Sequence, residues 1–182
     1  MNRKDFLITS GLAGASLVGA AWTPLLPVSD TLRIGIIGCG ARGQSHIDEL
    51  LKRKDIEITA VADPDSKWAI PETQKIFDRL QKKQPRYFSS GKADYLNLLN
   101  EQNVDAVIIS TPWEWHVQQG IAALKAAKKV GMEVSGAINI QECWDIVKAV
   151  EETGVPLMFL ENVCYRRDVM AVMNMVKNNV RS

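Results

Sequence analysis

Three features of the sequence predict a doubly wound α/β fold, a parallel sheet with helices on both faces. Short β-rich apolar runs alternate with segments of helical period along most of the chain, the rhythm that gives a parallel sheet. The run Ile34–Ile37 leads straight into Gly38-Cys39-Gly40-Ala41-Arg42-Gly43. A second apolar run ends at Asp63, twenty residues past Gly43. Strand, glycine turn, helix, strand and acid in that order point to the Rossmann type of this fold.

The elements follow in order. Leu32–Ile37 reads as the first strand. Gln44–Lys54 reads as a helix with Ile47, Leu50 and Leu51 on one side, and Ile56–Ala62 as the second strand. Pro71–Lys83 fits a polar helix with its proline near the first turn. Arg86–Phe88 is a short strand and Ala93–Asn100 a short helix carrying Tyr95, Leu96 and Leu99. Asp105–Ser110 is apolar enough for burial on both faces. Val117–Lys128 is a helix, with Ile121, Leu124 and Ala127 at helical spacing, and Val130–Val134 a strand. Gln141–Thr153 is an amphipathic helix stopped by Gly154, and Pro156–Leu160 a sixth strand. Asp168–Asn178 is a last helix, with Asp168 expected as its cap.

The first thirty residues differ. A charged start, Asn2-Arg3-Lys4-Asp5, precedes the apolar small-residue stretch Ile8–Ala21 and a proline-containing spacer. The stretch is too short and glycine-rich for a membrane span and reads as an export signal, with Gly19-Ala20-Ala21 as the cleavage zone. It is similar to a twin-arginine signal, with Arg3-Lys4 in place of the arginine pair. A periplasmic location is expected, with Sec export or an uncleaved anchor as alternatives. The expected domains are therefore 1–30 signal and spacer, 31–167 dinucleotide-binding domain, and 168–182 a linking helix.

Composition narrows the function. The 182 residues include 22 basic and 21 acidic, so no basic stripe suggests nucleic acid and no acidic tail a charged partner. Cys39, Cys143 and Cys164 show neither disulfide nor metal spacing, and buried or semi-buried free thiols with no metal are expected.

In the glycine turn, Gly38 permits a tight bend, Gly40 lets backbone approach a pyrophosphate and Gly43 lets helix pack on strand. Cys39, Ala41 and Arg42 complete the cradle at a helix N-terminus. Asp63 is placed to bind the ribose hydroxyls and to repel a 2′-phosphate, which favours NAD; Lys67 nearby works against this. The alternative is an ordinary glycine turn with a solvated acid. Ligands of such sheets bind beyond the carboxyl ends of the strands, so the residues after each strand matter.

After the Asp105–Ser110 strand, Pro112 forces an extended exit at Thr111. Trp113 and Trp115, in what reads as a polar turn, suit stacking on a nicotinamide or a sugar, or packing under the loop. His116 suits capping and packing as well as catalysis. Glu133, after the next strand, would face the reactive end of a cofactor or be a solvated loop acid. Tyr165, after the sixth strand, is a candidate proton carrier if a neighbouring cation assists it. Arg166 and Arg167 bind an anionic substrate or cap a turn.

GCGARG, VADPD, STPWEWH, GMEVSGA and LENVCYRR together resemble the N-terminal half of the Gfo/Idh/MocA oxidoreductases, from about Leu32 to Lys177. Most members carry Glu-Lys-Pro where this chain has Glu133-Val134-Ser135. The segments TPWEWH and GMEVSGA look more like the branch of glycoside hydrolase family 109, the NAD-dependent α-N-acetylgalactosaminidases. That resemblance implies tightly held NAD, oxidation at the sugar C3, elimination of the glycoside by removal of the C2 proton and departure of the aglycone from C1, addition of water, and return of the hydride. It further implies Glu133 near the nicotinamide, Trp115 and His116 lining its pocket, and Tyr165 near the reacting hydroxyl. Glu133 and Tyr165 are thus the candidate catalytic residues. Members continue into a second α/β domain carrying most sugar contacts, so this chain is expected to be a truncated cofactor half, inactive alone. Its last helix, with Val169, Met170, Val172, Met173 and Val176, would lack part of its cover, which favours self-association into homo-oligomers or instability. The alternatives are a stand-alone or vestigial nucleotide-binding module and a plain sugar or polyol dehydrogenase.

Overall fold

Leu32–Ile37 (β1) is extended because alternate residues find two different covers: Ile34 and Ile36 face one side of the sheet, Gly35 and Ile37 the other. The computed structural model describes residues 31–178. The proposed signal therefore lies outside the described residues. β1 pairs in parallel with Ile56–Ala62 (β2) on one side and Ala106–Ile109 (β4) on the other. Arg86–Phe88 (β3) extends the sheet beyond β2, and Lys129–Met132 (β5) and Leu157–Phe159 (β6) extend it beyond β4. The order is β3-β2-β1-β4-β5-β6, all parallel, with the reversal of winding between β1 and β4.

Ala41–Leu50 (α1) and Ala69–Arg79 (α2) cover one face, with Ile47 and Phe77 fully buried against Ile34, Ile36 and Val61. Tyr95–Leu99 (α3), Trp113–Lys125 (α4) and Ile140–Thr153 (α5) contribute to a second core with Val107, Ile109 and Met132. A Cβ on Gly35 would lie 2.8 Å from Leu98, so the absent side chain makes room for α3. At the opposite end of the sheet from the strand tips, Arg33 grips Asp105 through Nε at 2.9 Å and Nη2 at 2.6 Å, locking β1 to β4.

Six strands and the helices between them match expectation; several ends do not. α1 begins at Ala41 rather than 44, because Gly40 takes the extended N-cap conformation directly after the turn. α4 begins at Trp113 rather than 117. Pro112 itself occupies the N-cap, and its restriction acts on Thr111 before it, leaving the residues after it free to coil. Trp113, Trp115 and His116 are therefore helical, not in a polar turn. In α3 the best-buried side chain is Leu98, while Leu96 is exposed. The last helix, Arg167–Lys177 (α6), is capped by Arg166; Asp168 sits in its first turn, where it receives the Arg166 guanidinium and does not cap. Of the thiols only Cys39 is buried; Cys143 and Cys164 are exposed.

Candidate cofactor site

The site starts from three glycines. Gly38 has φ +88, and a Cβ there would meet Thr111 Cγ2 at 2.7 Å. A Cβ on Gly43 would overlap the carbonyl oxygen of Gly38, so only glycine lets α1 sit this close to the end of β1. A Cβ on Gly40 would meet nothing within 4 Å: this side of the loop is open. No side chain caps α1, which leaves the N–H groups of its first turn for an outside acceptor. Ser110 closes the floor by donating its hydroxyl to the Gly38 carbonyl at 2.8 Å, tying the tips of β1 and β4 together.

A cleft of about 380 Å³ opens beside this loop, lined by Gly38, Gly40, Asp63 and Thr111. Asp63 is half-buried at the tip of β2. Its Oδ2 accepts the Cys39 N–H at 2.8 Å and its Oδ1 the Asp65 N–H at 2.8 Å. Both oxygens keep acceptor capacity, and the carboxylate is fixed relative to the glycine loop. Trp68 and Trp115 also line the cleft. Lys92 sits over the Trp115 ring, 5.8 Å from its centroid, within cation–π range. Trp115 thus shares the cleft of Asp63. Trp113, two residues away, lines a different, apolar hollow of about 670 Å³ with Val134, Gly136 and Phe159. Thr111 donates to Gln119 at 2.6 Å, and both face the first cleft.

His116 is 1% exposed and does not line that cleft. Its ring is wedged between two backbone carbonyls, Nδ1 2.8 Å from Ser135 O and Nε2 2.8 Å from Thr111 O, and so ties the loop after β4 to the loop after β5. The Val134–Ser135 peptide bond in that second loop is cis.

Glu133, at the tip of β5, is 7% exposed. Its Oε1 accepts Arg42 Nε at 2.7 Å and lies 2.6 Å from His46 Nε2. Burial pushes its carboxyl up and is the largest single influence. The hydrogen bonds and charges of Arg42 and His46 together outweigh it and hold the group below the usual carboxylate range. The sequence placed Arg42 with the phosphate cradle and passed over His46. The spacing Arg42-x-x-x-His46 on one helix face was the available signal. Tyr165 lies in the 3₁₀ turn Asn162–Tyr165 and is 80% exposed. Its neighbour Arg166 is engaged with Asp168 at 2.7 Å. The structure therefore brings together the glycine loop, Asp63, Thr111 and Trp115 in one cleft, and Arg42 with Glu133 behind the loop; His116 buttresses and Tyr165 stands apart.

A dinucleotide fits what is present. The open side of Gly40 and the uncapped turn of α1 would receive a pyrophosphate, Asp63 the hydroxyls of a ribose, and the indoles of Trp68 and Trp115 offer flat apolar faces to a base. Among the described residues no group of His, Cys, Asp and Glu is arranged to hold a metal ion. No described helix is long and apolar enough to cross a membrane.

The comparisons agree with this reading. Residues 32–160 match the family model described as an oxidoreductase family with an NAD-binding Rossmann fold, GFO_IDH_MocA. The chain is 43% identical over 150 residues to an alpha-N-acetylgalactosaminidase of Tannerella forsythia, covering 82% of this chain and 32% of that protein. It is 39% identical over 180 residues to a glycosyl hydrolase family 109 protein of Parabacteroides distasonis, covering 94% of this chain and 38% of the relative. The chain thus spans about a third of the length of these relatives. In fold it resembles the scyllo-inositol dehydrogenase of Lactobacillus casei solved with NAD(H) and scyllo-inositol, with a TM-score of 0.69 at 19% identity, over 82% of this chain and 42% of that one. The WlbA dehydrogenase of Bordetella pertussis, solved with NADH and UDP-GlcNAcA, gives a TM-score of 0.68 at 24% identity, with the same coverage.

Proposed function

The chain belongs to the Gfo/Idh/MocA oxidoreductase family and is an NAD-binding Rossmann domain of it, in the branch of its family 109 relatives, and from that premise we propose that it is the cofactor-holding part of an exported, sugar-active protein of the NAD-dependent glycosidase kind. The observation that carries the proposal is the glycine loop with Asp63 bonded to its backbone, in a chain 43% identical to an alpha-N-acetylgalactosaminidase. Residues 1–30 serve as its export leader in this reading.

A bound NAD would supply a reversible acceptor of hydride: with C3 held as a ketone the C2 proton is acidified and the aglycone can leave from C1, and once water has added the hydride would return to C3. The chain's own groups bind and orient. The first turn of α1 directs its N–H groups at the pyrophosphate, and Asp63 accepts from the ribose hydroxyls while its charge opposes a 2′-phosphate. Glu133, kept ionised by Arg42 and His46, accepts hydrogen bonds at the tip of β5 and does not serve as an acid at neutral pH. Tyr165 moves the proton of the reacting hydroxyl, its exposure leaving the phenol free to meet substrate. The two-carboxylate arrangement of ordinary glycosidases is not required.

Calorimetry with NAD and NADP tests the premise. NAD binding tighter than NADP is expected, with Asp63→Ala weakening NAD about tenfold and narrowing the preference, the scale of one charged hydrogen-bond partner. Tighter binding of NADP would overturn the Asp63 assignment. An aryl α-N-acetylgalactosaminide with NAD then tests the chemistry. Aryl release that needs NAD supports the glycosidase reading outright. NADH formation from free sugar without aryl release points instead to a plain dehydrogenase. The engagement of Arg166 by Asp168, which draws the neighbouring cation away from Tyr165, favours the remaining reading, a nucleotide-binding module without turnover, which binding with neither reaction would match.

A further inference from the structure

Glu133 is a buried carboxylate far from Arg42 and His46 in sequence, yet its one oxygen Oε1 receives both, at 2.7 and 2.6 Å. The two partners stand one turn apart on α1, Arg42 in its first turn, directly after Gly40 and Ala41. Glu133 itself is placed by β5, whose tip it ends, and its backbone N–H is fixed to the Ile109 carbonyl of β4 at 2.9 Å. The cluster therefore bridges the winding reversal. One end is α1, whose uncapped first turn follows the glycine loop; the other is the strand tip on the opposite side of that loop from Asp63. Arg42 spends Nε on Glu133, and its terminal amino groups meet no partner among the described residues; its side chain is 45% exposed.

We propose that His46 is a positioning residue for the dinucleotide: together with Arg42 it clamps Glu133, and through Glu133 it sets the angle of the first turn of α1 against the tip of β5. The proposal rests on the NAD-binding reading above. Removing His46 leaves Glu133 held by Arg42 alone, and the guanidinium must then swing further inward to cover the carboxylate. The loop would be displaced where the pyrophosphate sits. Trp68 and Trp115 line the cleft but take no part in the Arg42–Glu133–His46 cluster, and would still offer their ring faces to the base of AMP.

The test is ligand binding to the full chain, read by quenching of tryptophan fluorescence, with NAD, ADP-ribose and AMP as probes. His46→Ala should weaken NAD and ADP-ribose about tenfold and leave AMP within about twofold, since one charge-assisted hydrogen bond carries that factor. His46→Gln, whose amide donates to the same oxygen, should restore NAD affinity to within about threefold of the native chain. In a Glu133→Gln background, His46→Ala should add little further loss. NAD affinity unchanged in His46→Ala overturns the proposal. So does a parallel loss of AMP, which would mark a general structural role, and AMP binding also reports that the variant is folded. A native chain that binds AMP, ADP-ribose and NAD not at all would instead sink the cofactor reading and this inference with it.

Discussion

Gly43 shows how little freedom the loop has. Its missing Cβ is what allows the Gly38 carbonyl to approach the start of α1, and the Ser110 hydroxyl bonds that same carbonyl at 2.8 Å. Gly43→Ala should therefore cost about 2 kcal/mol or more, the cost of overpacking against backbone that cannot shift. Gly40→Ala, with open space around it, should leave stability within about 0.5 kcal/mol while weakening NAD. Thermal unfolding of the two variants checks the contrast; equal stabilities would refute the division of labour between the glycines. These roles were legible from the spacing alone, as was the place of Asp63. His46 was not. Nothing in a linear sequence says that a histidine six residues past Gly40 will meet a glutamate after the fifth strand; the meeting exists only once the winding puts β5 beside the loop.

Among the elements, α5 is held at both ends by its own residues. The Asn139 side chain accepts the Glu142 N–H at 2.9 Å, and Glu142 reaches back to the Ile138 N–H at 2.8 Å. Gly154 closes the other end at φ +66. Asn139→Ala should lower stability by about 1 kcal/mol with NAD affinity unchanged, measured by denaturant unfolding and titration. A loss of binding instead would mean that α5 shapes the site. The ends of this helix were readable because Gly154 is a strong stop. The starts of α1 and α4 were not, because glycine and proline at their N-caps look like loop in sequence, and Trp113 and Trp115 are weak helix formers. Reading the tryptophans as a turn put them side by side. The helix separates them, Trp115 into the cleft with Asp63 and Trp113 into the apolar hollow beside Phe159.

For the whole molecule, two charged locks span the sheet at opposite ends, Arg33–Asp105 below and Arg42–Glu133–His46 above. Hydrogen bonds from Arg33 hold Asp105 below its ordinary range, as Arg42 and His46 hold Glu133 against burial. Both carboxylates are depressed in the folded state, so their stabilisation is complete above the ordinary carboxylate range and is lost as pH falls through the folded values. Denaturant midpoints should be flat from neutral pH to about pH 5 and drop below about pH 4. Glu133→Gln should be less stable at neutral pH and should lose less on acidification. An acid limb identical to that of the native chain would show that this lock contributes nothing. Apolar side chains remain exposed late in the chain: Trp144, Val147, Met158 and Phe159 on α5 and β6, and Met170, Met173 and Val176 on α6. That arrangement was partly readable, since the apolar stripe of α6 is periodic, whereas the exposure of Trp144 depends on which side of α5 meets the sheet.

The thiol inside the glycine loop adds a clock to this molecule. Cys39 is 0% exposed, and burial above all pushes its thiol up to about 12. At neutral pH it offers an alkylating reagent neither access nor thiolate, while Cys143 and Cys164 are open to it. Labelling should therefore proceed as two fast additions and one slow one, the slow rate being the frequency with which the loop lifts off the sheet. NAD held on that loop should slow the third addition and leave the first two alone, so a mass spectrometer could follow occupancy of the site without any turnover at all.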